Sequence, residues 1–158
     1  MDKVPVTSQG YVRMEEELKL LKTVERANVI KAIAEARAHG DLSENAEYSA
    51  AREKQSFIEG RILEIEDKIA RADIITVKNL VGSETIKFGA TIRLIDEETE
   101  EEVTYQIVGD YEAELKDGKL SVNAPISRAL IGKTEGDTVE VTTPKGKRSY
   151  EVLAFEYK

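Results

Sequence analysis

Two acidic residues, Asp41 and Glu44, lie three positions apart in the short polar segment that runs from His39 to Asn45. At the start of a helix this spacing places both carboxylates on one side, where they can share one hard cation. Mg²⁺ prefers oxygen ligands and is usually held by one or two carboxylates together with waters and substrate phosphates. Two carboxylates alone leave the coordination incomplete. We therefore expect a second macromolecule, already holding a metal ion and a phosphate, to complete a paired-metal site for displacement at phosphorus.

The same spacing has a structural interpretation. Asp41 followed by Glu44 is a capping-box pattern, in which the first residue is the N-cap of a helix and the second satisfies free amides. Spacing alone favours the cap. Gly40, Asn45 and Glu47, however, make the segment more polar and more acidic than one cap requires. The two interpretations are compatible.

Basic residues flank this segment on both sides, at Arg37, Arg52 and Lys54. They could contact a phosphate backbone next to the carboxylates, or they could be ordinary solvated helix charges that pair with nearby glutamates. The sequence contains no nucleotide-binding glycine loop, nucleophile elbow or zinc motif. The sequence therefore gives little support to the hypothesis that the chain is an enzyme that acts alone.

The segment interrupts two long heptad patterns. Apolar or small residues recur at alternating steps of three and four in the second pattern, at Tyr48, Ala51, Gln55, Ile58, Ile62, Ile65, Ile69 and Ala72. This spacing is typical of a coiled-coil seam. The first pattern contains Tyr11, Met14, Leu18 and Leu21, then polar Glu25 and Asn28, and resumes at Ile30 and Ile33.

A chain reversal at 42–44 brings the two seams together in order. The resulting pairs are Ile30 with Ile58, Leu21 with Ile65, Leu18 with Ile69 and Met14 with Ala72. This symmetry predicts an antiparallel coiled-coil hairpin over residues 1–79. An arm of about 30 residues reaches ~45 Å, a length that suits reaching or bridging.

Beyond residue 80 the pattern changes to short alternating stretches that predict strands at Thr91–Ile95, Val103–Val108, Val139–Thr143 and Tyr150–Phe155. Pro125 and Gly132 bracket one short helix, and Thr143–Lys147 is a hairpin turn. The acidic stretch from Asp96 to Glu102 is a solvated turn. Residues 80–158 are thus predicted to form a small, mostly antiparallel β domain with one helix, and the fold class is α+β.

Composition limits the function further. The chain has 158 residues, 41% of them apolar, which is enough to form a hydrophobic core. It has no cysteine and one histidine, so disulfides, thiolate metal sites and histidine-rich zinc sites are excluded. No basic start with an apolar block and no run of 18 apolar residues occurs, so we expect a soluble, cytoplasmic protein without a membrane partner. We also expect it to be a monomer. The net charge of −8 argues against unaided binding to nucleic acid. Residues 1–79 carry 13 basic and 15 acidic residues and residues 80–158 carry 10 and 16, so the first half is the more compatible with RNA or DNA nearby.

Two motifs resemble one family. The segment from Ala34 to Tyr48, AEARAHGDLSENAEY, closely matches the tip of the bacterial Gre transcript cleavage factors, and the segment from Ser121 to Lys133, SVNAPISRALIGK, is similar to their C-terminal signature. The likeness runs nearly end to end. The modest number of basic residues near the tip resembles the GreA type.

The resemblance implies a transcription elongation factor whose C-terminal FKBP-like domain docks on RNA polymerase while the hairpin enters the secondary channel. Asp41 and Glu44 match the two acidic tip residues that help to hold the second Mg²⁺ for hydrolysis of backtracked RNA. Arg37 and Arg52 match the basic patch that contacts the RNA 3′ segment. Asn123 and Pro125 fall in the signature linked to docking, although Ala124 stands where many relatives have Ser. The factor is not an enzyme itself, because it supplies carboxylates to the polymerase's own nuclease activity.

Two other functions are open. A coiled-coil protein without chemistry could plug a channel and slow RNA synthesis. A peptidyl-prolyl isomerase is suggested only by the implied fold of residues 80–158, which contain few aromatic residues to line a proline pocket.

Overall fold

The computed structural model describes residues 3–40 and 45–158. The chain forms two units, one of Tyr11–Ala72 and one in which Lys3–Gly10 joins Asp73–Lys158. The contacts thus divide the chain at Ala72, a few residues before the boundary predicted at residue 80. None of the described helices is both long enough and apolar enough to cross a membrane.

The first unit is a helical hairpin. Its first arm runs through α1 (Ser8–Leu20), a π-helical segment (Leu21–Glu25) and α2 (Arg26–Ala38), and its second arm is α3 (Ala46–Arg71). The two arms pack against each other along α2 and α3, which confirms the predicted hairpin. Its buried residues are Met14, Leu21, Val29 and Ala36 from the first arm and Ala51, Ile58, Ile62 and Ile65 from the second.

The π-helical segment changes the register of the first arm. Val29 is 2% exposed, whereas Ile30 is 53% exposed, so the predicted seam position of Ile30 and its pairing with Ile58 are wrong. A π turn closes hydrogen bonds from i to i+5 and so takes in one more residue than an α turn. The extra residue advances the seam from polar Asn28, which is exposed, to apolar Val29.

Ion pairs join the two arms on the outside of the hairpin. Arg26 donates to both carboxylate oxygens of Glu59 at 2.8 Å, Arg61 pairs with Glu17 at 3.0 Å, and Lys22 pairs with Glu66 at 3.3 Å. The hydrogen bond from Arg26 lowers the pKa of the Glu59 carboxyl and raises that of the guanidinium. Such exposed pairs contribute little stability, and their main effect is to fix the register of the arms.

The second unit contains two sheets. Strands β1 (Val4–Thr7) and β2 (Ala72–Ile75) form a two-stranded sheet. A five-stranded sheet has the order β5-β4-β3-β7-β6, built from β3 (Thr91–Asp96), β4 (Glu102–Val108), β5 (Lys119–Ser121), β6 (Thr138–Thr143) and β7 (Gly146–Glu156). Its pairs are antiparallel except β4 with β5. Short 3₁₀ turns lie at Val77–Leu80, Asp110–Glu112 and Leu115–Asp117.

Helix α4 (Pro125–Leu130) packs on β6, and the apolar core includes Ile86, Ile92, Leu94, Ile107, Leu130 and Val152. The four predicted strands, the helix and the β6–β7 turn are confirmed to within a few residues. Strands β1, β2 and β5, and the parallel pairing of β5, were not predicted. Together with the hairpin, this sheet confirms the α+β class.

Glu112 fastens the N-terminal segment to this unit. The amides of Thr7 and Gly109 donate to its carboxylate at 3.1 and 2.9 Å, and the Thr7 hydroxyl also donates to it. A Cβ atom added at Gly10 would lie 2.0 Å from the same carboxylate, so a larger residue there would have to displace the Glu112 side chain. We call this arrangement the N-terminal clamp.

The acidic turn after β3 is organised by Asp96, which is 6% exposed. Its carboxylate accepts hydrogen bonds from the amides of Glu98 (2.9 Å) and Thr99 (3.2 Å) and from Arg148 (2.9 Å). The amide of Glu98 is the main cause that holds the pKa of Asp96 below its ordinary value. Residues 97–102 are exposed, which confirms the solvated turn, whereas the burial and the structural role of Asp96 were not predicted.

Candidate functional site at the end of the hairpin

The two predicted catalytic and metal-binding residues, Asp41 and Glu44, lie outside the described residues, and their roles remain predictions. The residues on either side are described, and they show how the ends of the two arms are held. Gly40 ends the first arm with a positive φ of 134°, a backbone conformation that favours glycine. Asn45 begins the second arm.

Asn45 links the end of α2 to the start of α3. Its side-chain oxygen accepts a hydrogen bond from the amide of Tyr48 at 3.0 Å, and its side-chain nitrogen donates to the carbonyl of Ala36 at 2.7 Å. One side chain thus satisfies a free amide at the beginning of one helix and gives the carbonyl of Ala36, which also accepts from the His39 amide at 3.1 Å, a second donor at the end of the other.

Asn45 is therefore the N-cap of α3. The interpretation of Asp41 as the cap, with Glu44 completing a capping box, is wrong for this helix. Asn is as good a cap as Asp. The prediction relied on the spacing of Asp41 and Glu44 and did not consider Asn45, which lies next to Glu44, as the cap.

Arg37 lies in the last turn of α2, and its guanidinium is 5.9 Å from the centroid of the Tyr48 ring. This distance allows a cation–π contact, which restricts the guanidinium while leaving it exposed to solvent. A guanidinium retains five N–H donors for an external phosphate when it stacks on a ring. Tyr48 therefore helps to position Arg37. The sequence predicted only that Tyr48 packs in the seam.

Arg52 lies two turns into α3 and is exposed. It makes a long hydrogen bond of 3.4 Å to Gln55 on the same helix. At 1.5 Å per residue, its Cα is about 10 Å along the helix axis from Asn45. The two predicted RNA-binding arginines thus lie on different arms, and Arg37 is the nearer to residues 41–44 in the sequence.

No group of three or more His, Cys, Asp or Glu side chains that could hold a metal occurs among the described residues. Asp41 and Glu44 match Mg²⁺ by donor type, since both supply carboxylate oxygens. As a pair they provide fewer ligands than a complete octahedral site.

The predicted docking residues Asn123 and Pro125 lie in the second unit, and both are exposed. The Asn123 amide donates to Asp110 at 2.7 Å, and the Ser121 hydroxyl donates to the same carboxylate. Pro125 occupies the first position of α4, where its missing N–H costs nothing. Asp110 was not predicted, because it lies on a separate turn from the motif that it fixes.

Comparison with known proteins identifies the family. Residues 4–74 match the family described as "Transcription elongation factor, N-terminal", and residues 81–157 match "Transcription elongation factor, GreA/GreB, C-term". The chain belongs to this transcription elongation factor family. The resemblance stated from the two motifs is confirmed.

Two relatives show how far the similarity extends. The transcription elongation factor GreA of Phenylobacterium zucineum is 62% identical over 157 residues, which cover 99% of each chain. That of Rickettsia felis is 62% identical over 156 residues, covering 99% of this chain and 96% of the relative. Among solved structures, GreA factor homolog 1 of Thermus thermophilus is 30% identical and covers 98% of this chain and 99% of its own, with a TM-score of 0.44.

Proposed function

We propose that this protein is an accessory factor that binds RNA polymerase, inserts its hairpin into the secondary channel and stimulates the polymerase's own Mg²⁺-dependent cleavage of backtracked RNA. Asn45 is the observation that supports this most directly. It joins the ends of the arms and brackets the short segment that carries Asp41 and Glu44. With α3 alone spanning about 39 Å, the hairpin is long enough to carry that segment into a deep channel.

In this proposal Asp41 and Glu44 supply part of the coordination of a Mg²⁺ ion, and the polymerase and the RNA supply the rest. The ion, when bound, stabilises charge on the phosphate and favours ionisation of the attacking water. The two carboxylates orient that water and hold the ion only within the complex. Because two carboxylates provide fewer ligands than an octahedral Mg²⁺ site requires, the chain promotes cleavage only together with the polymerase.

Arg37 and Arg52 contact the 3′ segment of the nascent RNA. Arg37 contacts the Tyr48 ring and lies four residues before Asp41 in the sequence, so it contacts a phosphate near the cleaved bond. Arg52 contacts the RNA farther along the hairpin. Since the chain carries a net charge of −8, these contacts act within the polymerase complex and do not produce free RNA binding.

Asn123 and Pro125 form part of the docking surface for the polymerase. The hydrogen bond from Asn123 to Asp110 fixes this exposed turn before binding, which lowers the ordering cost of association. We infer that the protein acts as a monomer in the cytoplasm, where its partner is located.

The test adds the purified chain and Mg²⁺ to a backtracked elongation complex and measures release of short 3′ RNA fragments. We expect Asp41→Asn and Glu44→Gln to abolish stimulated cleavage while the binding of polymerase stays within about twofold. Glu53→Gln is the matched control, since Glu53 is exposed on the second turn of α3 and the substitution removes the same charge. We expect this control to cleave normally.

The thermal stability of all three variants should equal that of the wild type, because the N-cap of α3 is Asn45 and is retained. Normal cleavage by the Asp41 and Glu44 variants would disprove the proposed role of the carboxylates. A wild-type chain that slows synthesis and does not rescue arrested complexes would instead indicate a binding protein without chemistry.

A further inference from the structure

The second unit contains a groove that is lined by other residues than those predicted for docking. Three segments line it, residues 81–84, 134–135 and 155–157, and its volume is about 680 Å³. This volume is within the range of ligand-binding clefts. Asn123 and Pro125 are not among its lining residues. We call it the Val81 groove.

One part of the Val81 groove is apolar. Val81 is 66% exposed, which is high for a large aliphatic side chain, and Phe155 is half-buried. The Phe155 ring meets Tyr157 edge to face, with centroids 6.1 Å apart. The Tyr157 hydroxyl donates to the Thr85 carbonyl at 2.7 Å and accepts from the Lys87 amide at 2.9 Å, so the aromatic floor is fixed before binding.

The other part of the groove is acidic. Glu84 and Glu135 come from separate segments and are exposed, and the described residues include no ion-pair partner for either carboxylate. Glu156 also lines the groove, but it pairs with Lys158 at 3.1 Å. Two uncompensated carboxylates therefore lie beside an exposed valine and an aromatic ring.

We infer that the Val81 groove binds a basic segment of the protein partner. An apolar side chain of that segment packs on Val81 and Phe155, and a Lys or Arg side chain pairs with Glu84 and Glu135. Aromatic rings next to carboxylates favour such cations. The charge of the groove disfavours nucleic acid, and the net charge of −8 disfavours a second copy of this chain.

The inference rests on the proposed function, because it takes RNA polymerase as the partner. The experiment measures binding of the full-length chain to core polymerase at low and high salt. The test variants are Val81→Ser and the double variant Glu84→Gln/Glu135→Gln. The double variant Glu97→Gln/Glu98→Gln is the matched control, since it removes the same charge from the exposed acidic turn.

We expect the Glu84→Gln/Glu135→Gln variant to bind about fivefold more weakly at low salt, with the difference disappearing at high salt because exposed ion pairs are screened. Val81→Ser should lose about threefold at both salt concentrations, because its contact is apolar. The control should stay within about twofold of the wild type. A photo-crosslinking phenylalanine analogue at position 81 should join the chain to a Lys- or Arg-containing polymerase segment, and the same analogue at position 99 should not.

The outcomes separate the two claims. A wild-type chain that does not bind polymerase overturns the proposed function and this inference with it. A wild-type chain that binds and stimulates cleavage, with both groove variants unchanged, overturns this inference alone. A crosslink from position 81 to nucleic acid or to a second copy of the chain also overturns it.

Discussion

Replacing Asn45 by alanine tests the most specific contact at the end of the hairpin. The substitution removes the cap oxygen from the Tyr48 amide and the donor from the Ala36 carbonyl. Loss of an N-cap costs about 1 kcal/mol. Loss of a hydrogen bond between the arms adds about 1 kcal/mol. We therefore expect Asn45→Ala to lower the free energy of unfolding of the hairpin by about 2 kcal/mol.

Serine at position 45 separates the two contributions. It retains a cap oxygen but is too short to reach Ala36 as the asparagine amide does, so Asn45→Ser should lose about 1 kcal/mol. With a urea dependence of about 2 kcal/mol per molar, the midpoints should fall by about 1 M for alanine and about 0.5 M for serine. Urea titrations followed by helical circular dichroism measure both shifts.

Activity should follow the same order. The Asn45 contacts hold the residues on both sides of Asp41 and Glu44, and small displacements of catalytic groups cost large factors in rate. We expect stimulated cleavage to fall about tenfold in Asn45→Ala and less in Asn45→Ser, with polymerase binding unchanged. If both variants unfolded at the wild-type urea concentration, the proposal that Asn45 joins the two arms would be refuted.

Three further predictions concern the fold. Val29→Ala should lower the free energy of unfolding, measured by urea titration, by about 2 kcal/mol, because Val29 is buried. Ile30→Ala should lower it by less than about 0.5 kcal/mol, because Ile30 is exposed. The reverse order would contradict the π-shifted register. Gly60→Ala should stabilise the hairpin by about 1 kcal/mol, because alanine has the higher helix propensity and its Cβ would enter open space. Gly10→Ala should destabilise the chain by about 2 kcal/mol, because the new Cβ displaces the Glu112 carboxylate of the N-terminal clamp. The lowered pKa of Asp96 means that the folded state binds a proton at this carboxylate less readily than the unfolded state. The contribution of Asp96 to the free energy of unfolding is therefore present above the ordinary Asp pKa and is lost as the pH falls through the folded-state pKa. Asp96→Asn should flatten the loss of stability in acid, and an unchanged dependence of stability on pH would contradict this.

The sequence predicted the hairpin because apolar spacing in a coiled coil follows directly from helix geometry. It misplaced Ile30 because it resumed the seam at the next isoleucine after Asn28 and did not foresee the π-helical segment that brings Val29 into the seam. A π-helical segment adds a residue locally, and the gain from burying Val29 in place of Asn28 is a tertiary effect. The polar interruption at Glu25 and Asn28 was the visible signal of this change.

Strand prediction succeeded where alternation ran for five or more residues and failed for shorter pieces. Strands β1, β2 and β5 have four, four and three residues, too few to show a period. Their pairing depends on partners far away in the chain. The Val81 groove was unpredictable for the same reason. About 50 residues separate its first segment from its second and about 20 separate its second from its third, so only the folded domain brings the three together.

The way in which the hairpin is stabilised changes along its length. In its middle the buried residues of α3 are Ile58, Ile62 and Ile65, whereas nearer residues 41–44 the buried residues are Ala36 and Ala51. Alanine buries much less apolar surface than isoleucine, so apolar packing weakens towards the end of the arms. The Asn45 hydrogen bonds and the contact between Arg37 and Tyr48 occur in this weakly packed region, so polar contacts hold it together. Directional hydrogen bonds thus keep the ends of the arms in place where apolar packing is weakest. This division explains why we expect a change at Asn45 to affect cleavage more than polymerase binding.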